Sequence, residues 1–260
     1  MHLFDDFIKA YDKDFLWSNF YLNLDNLERN LNAKKLSLEK MGQNFIFYQQ
    51  TPRLMWYFAN EKLECKKDYC VKILSKNEAF LQKQDDFLKQ SGFVQFAEFK
   101  EMKKMGQDTK FSLLNAEFAD TLKDSNLLAK KLHTFLSRFF SPDFLLFYDE
   151  KALRKKFLKN EAFVLLKGDE IAGALVFSVN FNSAMLDFIA VDEGLKDKYT
   201  ALHLLNAFFK ANEKAGFFKL FVEKDNHKAI HFYLKNGFEF SQTQLLFYKE
   251  AKWNSNNSSL

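Results

Sequence analysis

The chain has 260 residues, 47% of them hydrophobic and 28% charged, with a net charge of +4 at pH 7, a balance that fits one large or two small folded domains rather than disorder. Its lysines are interspersed with Asp and Glu, which leaves no nucleic-acid footprint, and no apolar run approaches the length of a membrane span. The 33 Phe beside only 8 Gly and 2 Pro read as compositional bias and carry no functional weight.

Taken in chain order, residues 1–9 are too acidic for a signal peptide. Residues 44–50 and 53–59 read as paired strands around Thr51-Pro52. Cys65 and Cys70 lie in Cys-Lys-Lys-Asp-Tyr-Cys, which is not a zinc spacing and has no His cluster beside it, so reduced thiols in a cytoplasmic protein with no metal are expected. Val71-Lys-Ile-Leu-Ser-Lys-Asn77 leads to Phe87-Leu-Lys-Gln-Ser-Gly92-Phe93. Residues 104–112 read as a linker, which sets domains at 1–105 and 113–250, and the Asn- and Ser-rich stretch 251–260 reads as a tail. Beyond the linker, apolar spacing predicts helices over 126–139 and 149–158 and strands over 162–166 and 171–179. The two strands are joined by a hairpin turn, Lys167-Gly-Asp-Glu170. A strand over 185–191, a helix over 198–215 closed by Gly216, and a strand over 217–223 follow. Residues 240–248 are expected to supply the final strands.

The most informative stretch is Asn226-His-Lys-Ala-Ile-His-Phe-Tyr233-Leu-Lys-Asn-Gly237-Phe238. Asn226 suits a helix start. Ala229, Phe232 and Tyr233 fall on one helical face, Gly237 supplies a left-handed residue to end the helix, and Phe238 re-enters the core. In order and spacing this resembles the C-terminal signature of the GCN5-related N-acetyltransferases (GNAT). The resemblance covers about residues 113 to 250 and implies an α/β fold, a mixed central sheet flanked by helices with two splayed parallel strands. The run from residue 71 to Gly92-Phe93 echoes the signature, which suggests a degenerate first copy and a tandem arrangement. Leu88 stands there at the place of Tyr233.

The resemblance also implies a site. Acetyl-CoA would lie between the splayed strands, with backbone groups of Ile189, Ala190 and Val191 pairing with its pantetheine arm. Its pyrophosphate would rest on amides of the turn Lys196-Asp-Lys198-Tyr199-Thr200-Ala201, where a helix begins. Ala201 fits the family pattern, Lys196 and Lys198 add charge, and Tyr199 replaces the usual Gly. Tyr is costly where a backbone needs positive φ or must approach a phosphate closely. Asn226 would contact the cofactor, and Tyr233 would be the catalytic acid that protonates the departing thiolate. Asp187 and Glu223 are the nearby carboxylates, and His203, His227 and His231 lack metal-ligand spacing.

The resulting expectation is an N-acetyltransferase in which an amine attacks acetyl-CoA directly in a ternary complex. The first half would shape an acceptor pocket or form an interface, a homodimer being one arrangement. The alternative is a non-catalytic scaffold or acyl-CoA-sensing module, in which the Tyr199 loop has lost productive binding. RNA binding has only composition behind it.

Overall fold

A computed structural model describes residues 2–11, 15–20, 23–50, 53–64, 69–108, 118–119, 125–141 and 148–251. The chain divides into two units, Met1–Lys100 with Gln242–Leu260, and Glu101–Ser241. Strands β6 (Phe93–Met105) and β11 (Glu239–Glu250) each contribute residues to both.

The first unit contains helices α1 (His2–Tyr11), α2 (Leu24–Asn32) and α3 (Glu78–Gln90), with strands β1 (Trp17–Ser18), β2 (Leu36–Met41), β3 (Asn44–Gln49), β4 (Leu54–Ala59) and β5 (Cys70–Ser75). β2, β3 and β4 form an antiparallel meander. β5 lies parallel to β4 and antiparallel to β11. Every residue of β4 is buried, as expected for a strand covered on both faces. Phe7 and Leu27 from α1 and α2 pack with Phe45, Phe47 and Phe58 in one cluster. Leu81, Phe87 and Leu88 from α3 pack with Ile46, Tyr48 and Tyr57 in another.

The second unit contains helices α4 (Ser125–Leu136), α5 (Glu150–Leu158), α6 (Thr200–Ala211) and α7 (His227–Lys235), and strands β7 (Ala162–Lys167), β8 (Glu170–Asn180), β9 (Ser183–Val191) and β10 (Phe217–Glu223). β7, β8 and β9 are antiparallel and β10 is parallel to β9. The β7–β8 hairpin pairs Lys167 with Glu170 around Gly168, whose φ of +61° explains the glycine there. Along β9 the burial alternates, so both faces of the strand are used. Leu132, Phe135, Leu153 and Phe157 of α4 and α5 pack with Val164, Val176 and Phe188. Leu204, Phe208 and Tyr233 of α6 and α7 pack with Leu175, Phe177, Leu186 and Leu220.

Most of the expected elements appear within a few residues of their sequence boundaries, as helix ends usually allow. Three differences have physical causes. The helix expected over 198–215 ends at Ala211, because Asn212 takes the cap and its side chain bonds the Phe208 carbonyl. Residues 242–250, read from the sequence as the end of the second domain, group with the first unit, because β11 pairs with β5 from Gln244 to Tyr248. Lys104 and Met105, read as linker, continue β6, and a short 3-10 turn, Gly106–Asp108, follows. Residues 109–112, Thr51-Pro52, Cys65 and all of the tail but Ala251 lie outside the described residues. Cys70 is buried.

Gly173 sets how closely α6 approaches the sheet. A Cβ at this position would lie 2.7 Å from Thr200 Cγ2, 3.1 Å from Leu204 Cδ1 and 3.3 Å from Val191 Cγ1. Gly173→Val should therefore destabilise the protein by about 1–3 kcal/mol through overpacking. Urea unfolding would show this as a lower midpoint, and an unchanged midpoint would mean that α6 yields freely.

Candidate active site

The parallel ladder between β9 and β10 runs from Phe217↔Ser183 to Leu220↔Leu186 and ends there. Its ending coincides with a β-bulge. Val176 of β8 faces Phe188 whereas Phe177 faces Leu186, so Asp187 is an additional residue on β9. A bulge bends its strand and stops regular pairing. Residues 187–191 and 221–223 therefore form the two arms of a fork. The Asp192 amide donates to the Ala172 carbonyl of β8. Backbone groups alternate along an antiparallel strand, so Ile189 and Val191 turn their N–H and C=O groups away from β8 and into the fork. Ala190 faces β8, and its side chain is buried against α4 and α5.

A half-buried polar cluster anchors the bulge. Ser178 Oγ donates to Asp187 Oδ2 at 2.6 Å, and Lys156 Nζ reaches Ser178 Oγ at 2.7 Å, Glu161 Oε2 at 3.0 Å and Asp187 Oδ2 at 3.4 Å. Lys156 also donates to the Phe177 carbonyl, at the register shift. Burial pushes the Asp187 carboxyl up, opposed by Ser178, Lys156 and Tyr148. Asp187 is thus committed to holding the strand. Glu223 is exposed at the end of β10.

The loop after β9 folds around Asp192. Its Oδ1 accepts the amides of Gly194 and Leu195 at 2.9 and 3.2 Å, and its Oδ2 accepts Arg138 at 2.6 Å. The Arg138 guanidinium and these amides hold the Asp192 carboxyl below the usual carboxylate range. Neither Asp192 nor Arg138 was singled out in the sequence, since nothing local joins residues 54 positions apart. Lys196 pairs with Glu193, which also accepts Lys228 at 2.8 Å. These contacts, with Lys196 foremost, lower the Glu193 carboxyl to about 2. Lys198 Nζ lies 5.3 Å from the Tyr199 ring centroid.

Thr200 closes the first turn of α6. Its amide donates to the Asp197 carbonyl, and its Oγ1 accepts the Asp197 amide at 2.8 Å. The His203 amide is taken by the Tyr199 carbonyl. Among the described residues the amides of Ala201 and Leu202 have no acceptor, as expected for a helix start, and they make the anion-binding end of α6. Tyr199 has φ −112°, an ordinary value for any residue, and its side chain is 46% exposed. The backbone penalty expected for replacing Gly here is absent.

Asn226 caps α7, its Oδ1 accepting the Ala229 amide at 3.0 Å. Tyr233 is 5% exposed and packs edge-on to Phe232 and Phe238. Its hydroxyl bonds no described residue, yet it is not sealed, since His203 Nδ1 is the fully buried side-chain polar atom without a partner among the described residues. Burial raises the Tyr233 hydroxyl above its ordinary value. Gly237 has φ +80° and Phe238 is buried, as the signature requires. Tyr233, Leu186, Leu220 and Val222 share one cluster, against which Ile189 and Val191 pack, so the fork and this Tyr lie on the same side of the sheet. His227 and His231 are exposed, and no group of metal-ligating side chains occurs among the described residues. A cavity of about 710 Å³ between α4, the β7–β8 turn and residues 192–195 borders the loop, not the fork.

The acetyltransferase (GNAT) family model matches residues 129–238. A solved Drosophila protein is 9% identical with a TM-score of 0.54, the match covering 86% of this chain and 86% of that one. A GCN5-related N-acetyltransferase from Sphaerobacter thermophilus is 10% identical with a TM-score of 0.52, covering 88% and 85%. An acetyltransferase of the GNAT family from Colwellia psychrerythraea is 12% identical with a TM-score of 0.51, covering 90% and 100%. At these identities the likeness is one of fold, and it reaches beyond residues 129–238 into the first unit. No curated protein matches the chain. The fork, the loop after it and the α7 signature all lie within residues 129–238, and this segment is a domain of the acetyltransferase (GNAT) family.

Proposed function

We propose that the second unit is an N-acetyltransferase that takes acetyl-CoA and an amine acceptor together and transfers the acetyl group by direct attack. The observation that carries this reading is the fork. A strand edge whose N–H and C=O groups at Ile189 and Val191 turn away from β8 and pair with no described strand accepts an extended, amide-containing chain as a further strand would. The pantetheine arm is such a chain, with its thioester at one end and its pyrophosphate at the other. The Ala201 and Leu202 amides offer the pyrophosphate a helix N-terminus, and Asp192 with Arg138 holds the loop that leads to it. Asn226 caps α7 through its oxygen, which leaves its amide nitrogen to donate to the ligand.

Acetyl-CoA supplies an acyl group on a thiolate leaving group. A new N–C bond forms as the C–S bond breaks; the amine nitrogen gives up one proton to water, the thiolate takes one from its acid, and water reprotonates that acid. Tyr233 is the proton donor in this reading: its hydroxyl bonds no described residue, and burial keeps it protonated well past neutral pH. Holding both reactants in one site supplies much of the rate by orientation. The ordinary φ of Tyr199 removes the backbone argument for a non-catalytic module.

Tyr233→Phe should leave acetyl-CoA affinity unchanged and lower the acetyl-transfer rate by about a hundredfold, measured by thiol release with a panel of amines. Because the Tyr233 pKa is raised, wild type should show no alkaline loss of rate from this group up to about pH 9. An undiminished rate in Tyr233→Phe would remove its role. Asp192→Ala should weaken acetyl-CoA binding about tenfold by freeing the Gly194 and Leu195 amides from their acceptor, as read by calorimetry. Unaltered affinity would show that the loop needs no such anchor.

A further inference from the structure

The first unit repeats the framework of the second. Three antiparallel strands lead to a parallel neighbour, then a helix capped by Asn, then Gly and a buried Phe. Asn77 caps α3 through the Phe80 amide as Asn226 caps α7 through the Ala229 amide. Gly92 and Gly237 both have positive φ, at +85° and +80°. A fork is present here too, for the β4–β5 ladder holds only Leu54↔Cys70 and Met55↔Val71. Val71 and Leu220, the last paired residues, stand at the same distance before their capping Asn.

The chain itself enters this first fork. β3 pairs with β4 along one edge from Leu54 to Phe58. β1 pairs antiparallel with Phe58 and Ala59, and so takes the edge that β5 has left. Asn19, only 4% exposed, sits at the branch point. Its Nδ2 donates to the Met55 carbonyl of β4 at 2.9 Å and to the Lys72 carbonyl of β5 at 3.3 Å, and its Oδ1 accepts the Tyr57 amide at 2.8 Å. Trp17 stacks on Phe87 at 4.5 Å with an interplanar angle of 8°, beside Leu88. The connection between β4 and β5, residues 60–69, contains no helix among its described residues. The anion-binding helix start found at α6 therefore has no counterpart among the described residues there.

We infer that Trp17–Asn19 is a permanent occupant of the first fork, filling with its own chain the slot that an extended acyl-CoA arm takes in the second, so that each chain binds one acyl-CoA. Asn19 satisfies the backbone groups of both arms as a ligand amide would, and buried backbone groups left unpaired are costly. The plug follows from the first unit alone. Only the count of one rests on the acetyltransferase reading.

Amide hydrogen exchange at Tyr57, followed by NMR, tests the plug without any ligand. In wild type the Tyr57 amide should be protected, should exchange about tenfold faster in Asn19→Ala, as befits one lost hydrogen bond, and should be unchanged by saturating acetyl-CoA. A Tyr57 amide that exchanges like an open strand edge in wild type would overturn the inference. So would two equivalents of acetyl-CoA in a calorimetric titration of wild type, a measurement that does not depend on how Asn19→Ala folds. Complete absence of acetyl-CoA binding would instead count against the acetyltransferase reading, while the exchange result still decides the plug.

Discussion

The candidate site depends on one interruption, the end of the β9–β10 ladder at Leu186 and Leu220. A continuous parallel pair would consume the backbone groups of Ile189 and Val191 and leave nothing for a ligand. The additional residue Asp187 prevents this. It is stabilised where it stands by Ser178 and by Lys156, whose ammonium also bonds the Phe177 carbonyl at the register shift. Withdrawing a charge from water is costly unless it is paired and hydrogen-bonded, and here, at half-buried positions, the pairing and the bulge support one another. The placement of α6 follows from the same region, because Gly173, opposite Val191 on β8, admits Thr200 and Leu204 to close contact with the sheet.

The two forks illustrate how one framework reaches different ends. In both, the strands part six residues before an Asn that caps the next helix, and a left-handed Gly closes that helix. What differs is the occupant and the connection. The second unit inserts α6 between its arms and so gains a helix start with free amides. The first crosses by residues 60–69 and brings β1 into the gap, where Asn19 meets the groups that α6 and a ligand would otherwise serve. The exchange of a hydroxyl at Tyr233 for an alkyl chain at Leu88, fully buried, fits the same division of roles.

Much of the second unit was legible in the sequence because its signals are local. Asn226, Ala229, Phe232, Tyr233 and Gly237 sit at spacings that a helix and its caps dictate, and the hairpin around Gly168 announces itself. The echo at Gly92-Phe93 also had a local basis, since Asn77 and Gly92 do for α3 what Asn226 and Gly237 do for α7. The remainder depends on contacts between residues far apart. Arg138 reaches Asp192, Lys156 reaches Asp187, and Asn19 reaches Met55, Tyr57 and Lys72, and no periodicity relates such partners. Tyr199 shows the converse case: a residue type suggested strain that the backbone does not have, because φ depends on the turn that Thr200 and Asp197 form rather than on the family pattern. The placement of β11 from Gln242 onward was likewise invisible, since an apolar strand does not name its neighbour.

In the proposed acetyltransferase, the fork between β9 and β10 receives an extended acyl-CoA arm. The most direct measurement is an NMR titration of the isotopically labelled protein with acetyl-CoA, following the backbone amides of Ile189, Val191, Ala201 and Leu202. These four amides should shift together and saturably, and Ile189 and Val191 should gain exchange protection, as new strand partners do. Saturable binding that leaves Ile189 and Val191 unmoved, or no binding up to millimolar acetyl-CoA, would contradict that placement of the arm.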